Sequence, residues 1–393
     1  MNYFELEKKY ILQTYKRQKI VFHYGKGKYL WDKNGKKYLD FFSGLSVCNL
    51  GHCHPEIIKA VQRQIKKYFH VSNIYYIPEQ IELAKLIIEK SFKKGKVFFS
   101  NSGAEANECA IKLARKYGSK KGKFEIISFE NSFHGRTLAT LSATGQTKFH
   151  RGFSPLSPGF KYAKFNNIDS VKKLITKKTV AVIVEPVQGE GGVYPAEKKF
   201  LEELRQLCNK NKLLLIFDEV QCGMGRTGSL FAYQHYGVEP DMFTLAKSIA
   251  NGLPLGVTVV KEKYSDVFEK GDHGSTFGGN PVSCAAAIET IKQIDDPFLM
   301  KNVSELGKYF IQKLIDLKNK FPEKIKEVRG VGLMVGLELF EKGNEIVEKC
   351  ADANPLGIII NCTQEKVLRF LPPFLITKKD IDYVVKTLEN ILS

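Results

Sequence analysis

The chain has 393 residues, 43% of them hydrophobic and 26% charged, with a formal net charge of +18. This composition is typical of folded globular proteins, and no stretch is long and apolar enough to span a bilayer. The lysines form short pairs scattered along the whole chain, so the charge indicates attraction of anionic substrates. A nucleic-acid-binding surface, which would concentrate them on one element, remains an alternative.

The first residues carry acids and lack the apolar segment of a signal peptide, so we expect a cytoplasmic protein. The eight cysteines show no zinc-ribbon or Cys-x-x-Cys spacing, and we expect most of them to be small buried apolar residues. His52-Cys53-His54 resembles a ligand cluster. Three adjacent residues cannot easily converge on one ion, so we predict no metal site.

Helices and strands alternate along most of the chain. Trp31 to Gly35 predicts a hairpin turn that joins the C-terminal domain, and Pro55 opens a helix. The apolar stripe predicted for that helix consists of Ile58, Val61, Ile65 and Phe69. A second helix is predicted over about 104–117. Strands are predicted at 97–99, 125–129, 180–184, 213–217, 242–246 and 257–260. Strands separated by helices favour a mostly parallel α/β sheet.

The pattern changes after about residue 283. A long helix is predicted from the apolar positions Leu306, Phe310, Leu314 and Leu317. A half-exposed strand is predicted from Leu333, Val335, Leu337 and Leu339, and a closing helix from Ile381, Val384, Val385 and Leu388. We therefore expect residues 1–50 to be an N-terminal segment of the small domain, 51–282 a large domain and 283–393 a C-terminal small α+β domain.

Two of the predicted strands deliver opposite charges. The apolar run 213–217 ends in Asp218, and the run 242–246 ends in Lys247. Open α/β sheets bind ligands outside the carboxyl ends of their strands. A third feature, Ser102-Gly103-Ala104, is a glycine turn between a strand and a helix, whose free N–H groups suit a phosphate.

These residues allow three interpretations. A P-loop NTPase would need Gly-x-x-x-x-Gly-Lys-Ser/Thr, and the nearest approach, at 118–124, is one residue short and ends in Phe. A dinucleotide fingerprint at 223–228 does not join a strand directly to a helix, so we predict a loop there. Pyridoxal phosphate needs an amine, an anion beside its ring nitrogen and a phosphate cradle. Lys247, Asp218 and Ser102-Gly103-Ala104 supply one each.

At the level of whole motifs the chain resembles the class III pyridoxal-phosphate-dependent aminotransferases of fold type I, and among them the enzymes that act on acetylornithine. The resemblance covers about residues 31–373. The motifs are S-N-S-G-A-E-A-N-E at 100–108, F-H-G-R-T at 133–137, E-P-V-Q-G-E-G-G at 185–192, D-E-V-Q at 218–221, Lys247 and H-G-S-T-F-G-G-N-P at 273–281. The resemblance implies a large domain with a mostly parallel seven-stranded sheet flanked by helices, plus a smaller α+β domain.

The resemblance also implies roles for single residues. The cofactor residues would be Ser102, Gly103 and Ala104 at the phosphate, Phe133 and Val220 on the two ring faces, Gln221 at the ring hydroxyl, His134, Asp218 at the ring nitrogen and Lys247 at the aldehyde. Thr276 would reach the phosphate of the neighbouring subunit, so a homodimer with active sites at the subunit interface is expected. Freed Lys247 would act as general base.

Four further residues would bind substrates. Arg136, with Ser275 close by, would hold the α-carboxylate of acetylornithine, and Arg369 that of glutamate or 2-oxoglutarate. Glu190 would pair with Arg369 in one half-reaction and release it in the other.

The substrate assignment leaves alternatives within the family. Leu45 stands where ornithine aminotransferases carry a tyrosine, which favours an acylated substrate. Ornithine and succinyl-diaminopimelate remain alternatives as amino donors, and 4-aminobutyrate is less favoured.

Overall fold

The structure, a computed structural model, describes residues 2–393. The strands are β1 Phe22–Lys26, β2 Tyr29–Asp32, β3 Lys37–Asp40, β4 Gly95–Ser100, β5 Glu125–Phe129, β6 Phe160–Ala163, β7 Thr179–Val184, β8 Val187–Gln188, β9 Tyr194–Pro195, β10 Leu214–Asp218, β11 Met242–Leu245, β12 Gly256–Lys261, β13 Ile325–Val331, β14 Met334–Leu339, β15 Gly357–Ile359, β16 Asn361–Thr363 and β17 Val367–Phe370.

The helices are α1 Tyr3–Tyr10, α2 Ser43–Ser46, α3 Pro55–Ile65, α4 Pro78–Lys90, α5 Gly103–Ser119, α6 Leu138–Ala143, α7 Ile168–Leu174, α8 Lys198–Asn211, α9 Ala232–Tyr236, α10 Pro281–Ile294, α11 Pro297–Lys320, α12 Asn344–Asp352 and α13 Lys378–Leu392. Short 3₁₀ turns occur at Thr147–Phe149, Lys247–Ala250 and Glu262–Tyr264.

A seven-stranded sheet in the order β4-β12-β11-β10-β7-β5-β6 forms the centre of the fold. Strand β12 is antiparallel to β4 and β11 on its two sides, and the other six strands all run in one direction. Strands β7, β10 and β11 are buried along their whole length, as expected of parallel strands that helices cover on both faces. The predicted mostly parallel sheet is confirmed, and β10 and β11 end side by side with Asp218 opposite Thr244.

Two smaller sheets lie outside the central one. Strands β1, β2 and β3 join β15 in a four-stranded sheet, in which Tyr38 pairs with Gly357. The prediction that the N-terminal hairpin joins the C-terminal part of the chain is therefore confirmed. The other sheet has the order β13-β14-β17-β16 and carries Arg369 on β17.

Two predicted faces differ from the structure. Helix α3 buries Ile57, Ala60 and Gln64, whereas Ile58 is 38% and Phe69 64% exposed. The predicted stripe is wrong for Ile58, Ile65 and Phe69, because α10 packs on the other face of α3, whereas Val61 packs against the core as predicted. Strand β14 is buried throughout rather than half-exposed, since α11 contacts it and Val193 packs against Gly336. The predicted stripe of α11 is confirmed: Leu306, Phe310, Leu314 and Leu317 are all buried.

Between residues 2 and 393, no helix is long and apolar enough to cross a membrane. The same residues contain no group of three or more His, Cys, Asp or Glu side chains that could hold a metal ion. His52 of the His-Cys-His sequence instead pairs with the buried Asp40 at 2.7 Å.

Candidate active site

A cavity of about 400 Å³ opens at the carboxyl ends of β10 and β11. Its lining brings together the start of α5, the loops after β5 and β7, and the segments that follow β10 and β11. Most of the predicted site residues line it: Ser102, Gly103, Ala104, Phe133, His134, Arg136, Glu190, Asp218, Val220, Gln221 and Lys247. Its volume is within the range of small-molecule sites, and it lies where open α/β sheets bind their ligands.

The N-terminus of α5 forms an anion-binding turn at one end of the cavity. The Ser102 hydroxyl caps the helix by accepting the amide proton of Glu105 at 3.2 Å. The amides of Gly103 and Ala104 donate to no acceptor within residues 2–393. A Cβ on Gly103 would lie 2.6 Å from Val220 Cγ1, so only glycine permits this approach. Two free N–H groups at the positive end of a 17-residue helix suit a phosphate.

Asp218 is fixed in a buried hydrogen-bond network. His134 Nδ1 and Asn107 Nδ2 each lie 2.7 Å from Asp218 Oδ2, and the amide of Val220 donates to Oδ1 at 3.0 Å. Thr244 donates to the Asn107 oxygen at 2.7 Å, which orients the amide NH₂ towards Asp218. Burial lowers the pKa of His134, but the hydrogen bond and charge of Asp218 outweigh it and raise the pKa overall.

Lys247 begins the 3₁₀ turn after β11, with a left-handed φ of 49° that is unusual for a residue with a side chain. Its ammonium has no hydrogen-bond or ion-pair partner among residues 2–393. Burial is the largest influence and lowers the pKa of Lys247; the Glu190 charge opposes this and the Arg369 charge adds to it. A lower pKa leaves more of this amine uncharged and nucleophilic at a given pH.

The two predicted carboxylate-binding arginines occupy different environments. Arg136 is exposed, and its guanidinium lies 4.0 Å from the ring centroid of Phe149 and 5.3 Å from that of Phe133. Arg369 is 1% exposed and donates to Glu190 Oε1 at 2.8 Å and to Gln221 Oε1 at 3.2 Å.

Arg369 and Glu190 therefore form a nearly buried ion pair beside Lys247. Burial raises the pKa of Glu190, but the charges of Arg369 and Lys247 outweigh it and the net shift is downward. Glu190 is thus held as the carboxylate.

Ser275 and Thr276 are not in this cavity. They line a second cavity of about 480 Å³ on the other side of Asn101, whose side chain donates to the Ser275 hydroxyl at 3.1 Å. Ser275 and Arg136 thus line different cavities, and the expectation that Ser275 lies close to Arg136 stays a prediction.

Glu185 and Asn107 are among the polar residues of the cavity to which the sequence assigned no role. Glu185 accepts the amide protons of Phe133 at 3.0 Å and Gly189 at 3.4 Å, and burial raises its pKa. Both residues belong to motifs quoted above, but a motif does not reveal which of its side chains point inward.

Comparison with known proteins places the chain in a family. The model of the class-III aminotransferases matches residues 11–392. Acetylornithine aminotransferase of Methanocaldococcus jannaschii is 51% identical over 395 aligned residues, which cover 100% of this chain and 98% of that protein.

Two solved structures are similar over almost the whole chain. An ornithine aminotransferase from Toxoplasma gondii, with pyridoxal phosphate at partial occupancy, gives a TM-score of 0.93 at 32% identity and covers 99% of this chain and 93% of its own. N-acetylornithine aminotransferase from Stenotrophomonas maltophilia gives a TM-score of 0.84 at 33% identity, and the match covers 98% of this chain and 97% of that protein chain. These likenesses confirm the expected fold type I. The P-loop interpretation is wrong, because residue 118, which would open that loop, lies in the last turn of helix α5. The chain belongs to the class-III aminotransferase family.

Proposed function

We propose that the chain is a pyridoxal-phosphate-dependent aminotransferase that transfers the δ-amino group of N-acetylornithine to 2-oxoglutarate. The observation that carries the proposal is the cavity in which Lys247, Asp218 and the free amides of Gly103 and Ala104 meet. The full-length likeness to an acetylornithine aminotransferase supports the choice of substrate.

The residues of the cavity fit pyridoxal phosphate. Gly103 and Ala104 would hold its phosphate, Phe133 and Val220 would contact the two faces of its ring, and Gln221 would bind its hydroxyl. When bound, the cofactor supplies an electron sink for the pair left behind when a neighbouring carbon loses a proton.

The side chains then divide the proton chemistry. Asp218, whose position His134 and Asn107 fix, would hold a proton on the ring nitrogen of the bound cofactor. The Nζ atom of Lys247 would take the proton from the carbon that bears the transferred amino group and would deliver it to the former aldehyde carbon of the cofactor, so that the proton moves between two carbons. The lowered pKa of Lys247 suits a base that works near neutral pH.

The arginines bind the carboxylates of the two substrates. We assign the α-carboxylate of acetylornithine to Arg136 and that of glutamate or 2-oxoglutarate to Arg369. Glu190 neutralises Arg369 in the first half-reaction and must leave it in the second. The ion pair at 2.8 Å supports the first of these states.

Leu45 supports an acylated amino donor. It lies two residues before Val47, which lines the cavity, and it packs against an apolar cluster that includes Val187 and Leu371. Such a side chain offers no hydroxyl to the charged α-amine of free ornithine, whereas an acylated amine carries no charge.

The test is a comparison of single-turnover rates with acetylornithine, ornithine and succinyl-diaminopimelate on the yellow holoenzyme. We expect acetylornithine to have the highest kcat/KM, and borohydride to fix the cofactor on Lys247. A preference for free ornithine would contradict the role of the Leu45 region. Absence of any amino transfer would overturn the proposed function.

We further propose a homodimer whose sites are shared between the subunits. Exposed apolar side chains occur in the two segments that Asn73 joins next to Thr276, in a dimer patch that we define as Phe69, Ile74, Tyr75, Tyr76 and Phe277. Asn73 donates to the carbonyls of Ser275 and Gly278 at 2.8 and 3.0 Å, so this patch and the Thr276 loop are one structural unit. Exposed apolar patches of this kind are typical of subunit interfaces.

The dimer explains the position of Ser275 and Thr276 in a separate cavity, since each chain would offer them to its partner. We also propose that residues 1–50 and 283–393 form one small domain and 51–282 a large one. The pairing of β3 with β15 supports this division.

A further inference from the structure

The turn between β16 and β17 contacts two loops, one that carries Glu190 and one that carries Gln146 and Lys148. Gln364 lies in this turn with a left-handed φ of 50°. Its Nε2 donates to the backbone carbonyl of Glu190 at 2.7 Å and to Gln146 Oε1 at 2.9 Å, and its Oε1 accepts from Lys148 Nζ at 3.0 Å. One side chain thus joins the β16–β17 hairpin, which carries Arg369, to two separate loops.

The first of these loops supports Arg136. Gln146 donates to the carbonyls of Asn131 and Ser132 at 3.2 and 3.0 Å, which anchors the segment 146–149 next to the loop of Phe133. The segment ends at Phe149, and the guanidinium of Arg136 lies 4.0 Å from the centroid of that ring. A displacement of this segment would therefore move Arg136.

The second loop carries Glu190, and its backbone is held on every side. Thr363 donates to the Glu190 carbonyl at 2.9 Å, in addition to the bond from Gln364. Arg329 Nε donates to the carbonyl of Gly192 at 2.9 Å. A Cβ on Gly189 would lie 2.1 Å from Gln221 Oε1, so the loop cannot shift towards that side. These contacts fix the backbone of the loop, whereas the Glu190 carboxylate is held by Arg369 at 2.8 Å.

We propose that Gln364 is a positioning residue that fixes the Glu190 backbone and the spacing of Arg136 and Arg369. As a result, the Glu190–Arg369 pair opens by rotation of the Glu190 side chain and not by movement of its loop. The assignment rests on the proposed function, in which Arg369 binds the carboxylate of 2-oxoglutarate.

The test uses Gln364→Asn with Glu365→Asn as its matched control. Asparagine tolerates the left-handed conformation but is too short to keep the contacts of Gln364. Glu365 lies in the same turn with a φ of 62°, and it pairs only with Lys342 on the surface. Both variants therefore carry the same backbone change, and only one loses the contacts.

Binding of glutarate, an unreactive dicarboxylate, is measured on the holoenzyme by calorimetry, together with KM and kcat for 2-oxoglutarate. We expect Gln364→Asn to weaken glutarate binding about 5- to 10-fold and to raise KM for 2-oxoglutarate by the same factor. This is the size expected from the loss of one or two hydrogen bonds. The kcat for 2-oxoglutarate should change less than about twofold. The control should match the wild type. In a Glu190→Ala background the effect of Gln364→Asn should become smaller but stay above about twofold, because the part that acts through the Glu190 side chain is gone while the spacing of Arg136 and Arg369 still depends on Gln364.

Equal effects of the two asparagine variants, or an unchanged effect of Gln364→Asn without the Glu190 side chain, would overturn the assignment. Wild-type protein that does not bind glutarate would overturn the proposed function and the assignment together. Wild-type binding that Gln364→Asn leaves intact would overturn the assignment alone.

Discussion

Removal of the Glu190 carboxylate should change the balance between the two half-reactions. Arg369 is 1% exposed and donates to Glu190 at 2.8 Å, so 2-oxoglutarate must displace this carboxylate to bind the guanidinium. A hydrogen bond to a charged group contributes about 1.5–3 kcal/mol, which corresponds to a factor of roughly 10 to 150. Because the Glu190 side chain is 23% exposed, we expect the lower part of that range.

The assay measures kcat/KM of each half-reaction by stopped-flow absorbance for wild type and Glu190→Ala. In Glu190→Ala, the ratio of kcat/KM for glutamate to kcat/KM for acetylornithine should rise about 10-fold or more. The reason is that the Arg369 guanidinium is then free to bind glutamate, whereas with acetylornithine it remains an uncompensated charge. The control is Arg205→Ala, which breaks the ion pair with Asp241, also at 2.8 Å, outside the cavity. A ratio that stays within twofold of wild type would refute the gate.

Four other outcomes follow from the structure. The Lys247→Ala and Thr276→Ala variants should each be inactive or strongly impaired alone. A hybrid dimer of one Lys247→Ala subunit and one Thr276→Ala subunit should regain activity in one of its two sites. No recovery of activity after subunit exchange would argue against shared sites. Asn107→Ala should lower the first half-reaction about 10-fold through loss of a charge-assisted hydrogen bond, with a shifted cofactor spectrum as the second readout. The carboxylate of Glu190 raises the pKa of Lys247, so Glu190→Gln should lower that pKa. The pH profile of cofactor uptake by the apoprotein should therefore move to lower pH. A shift to higher pH would contradict the assigned effect of the Glu190 charge. Phe217→Ala, at a fully buried position of the central sheet, should cost about 3–5 kcal/mol in urea unfolding, and less than 1 kcal/mol would contradict its burial.

Much of the fold could be predicted because it is encoded in local patterns. The apolar run before Asp218 is long and unbroken, which is typical of a strand buried on both faces, and β10 is buried throughout. The glycine of Ser102-Gly103-Ala104 marks the start of α5. Since strand periodicity and helix capping involve neighbouring residues only, the sequence is sufficient to locate these elements and the side chains at their ends.

Other features depended on which elements pack together. The pattern of Ile58 and Phe69 predicts a buried stripe, but α10 covers a different face of α3 and leaves these side chains exposed. Likewise, β14 alternates in hydrophobicity in its sequence yet is buried on both sides. A pattern of apolar residues shows that a face needs a partner and does not show which element will supply it.

The sequence by itself determined the chemistry that the chain can offer: an amine after β11, a carboxylate at the end of β10 and a glycine turn at the start of α5. Only the tertiary structure decided how these groups are controlled. The bond from Asn107 to Asp218 spans 111 residues, and the pair of Arg369 with Glu190 spans 179. Contacts over such distances arise from the packing of whole elements, and no local pattern in the chain records them.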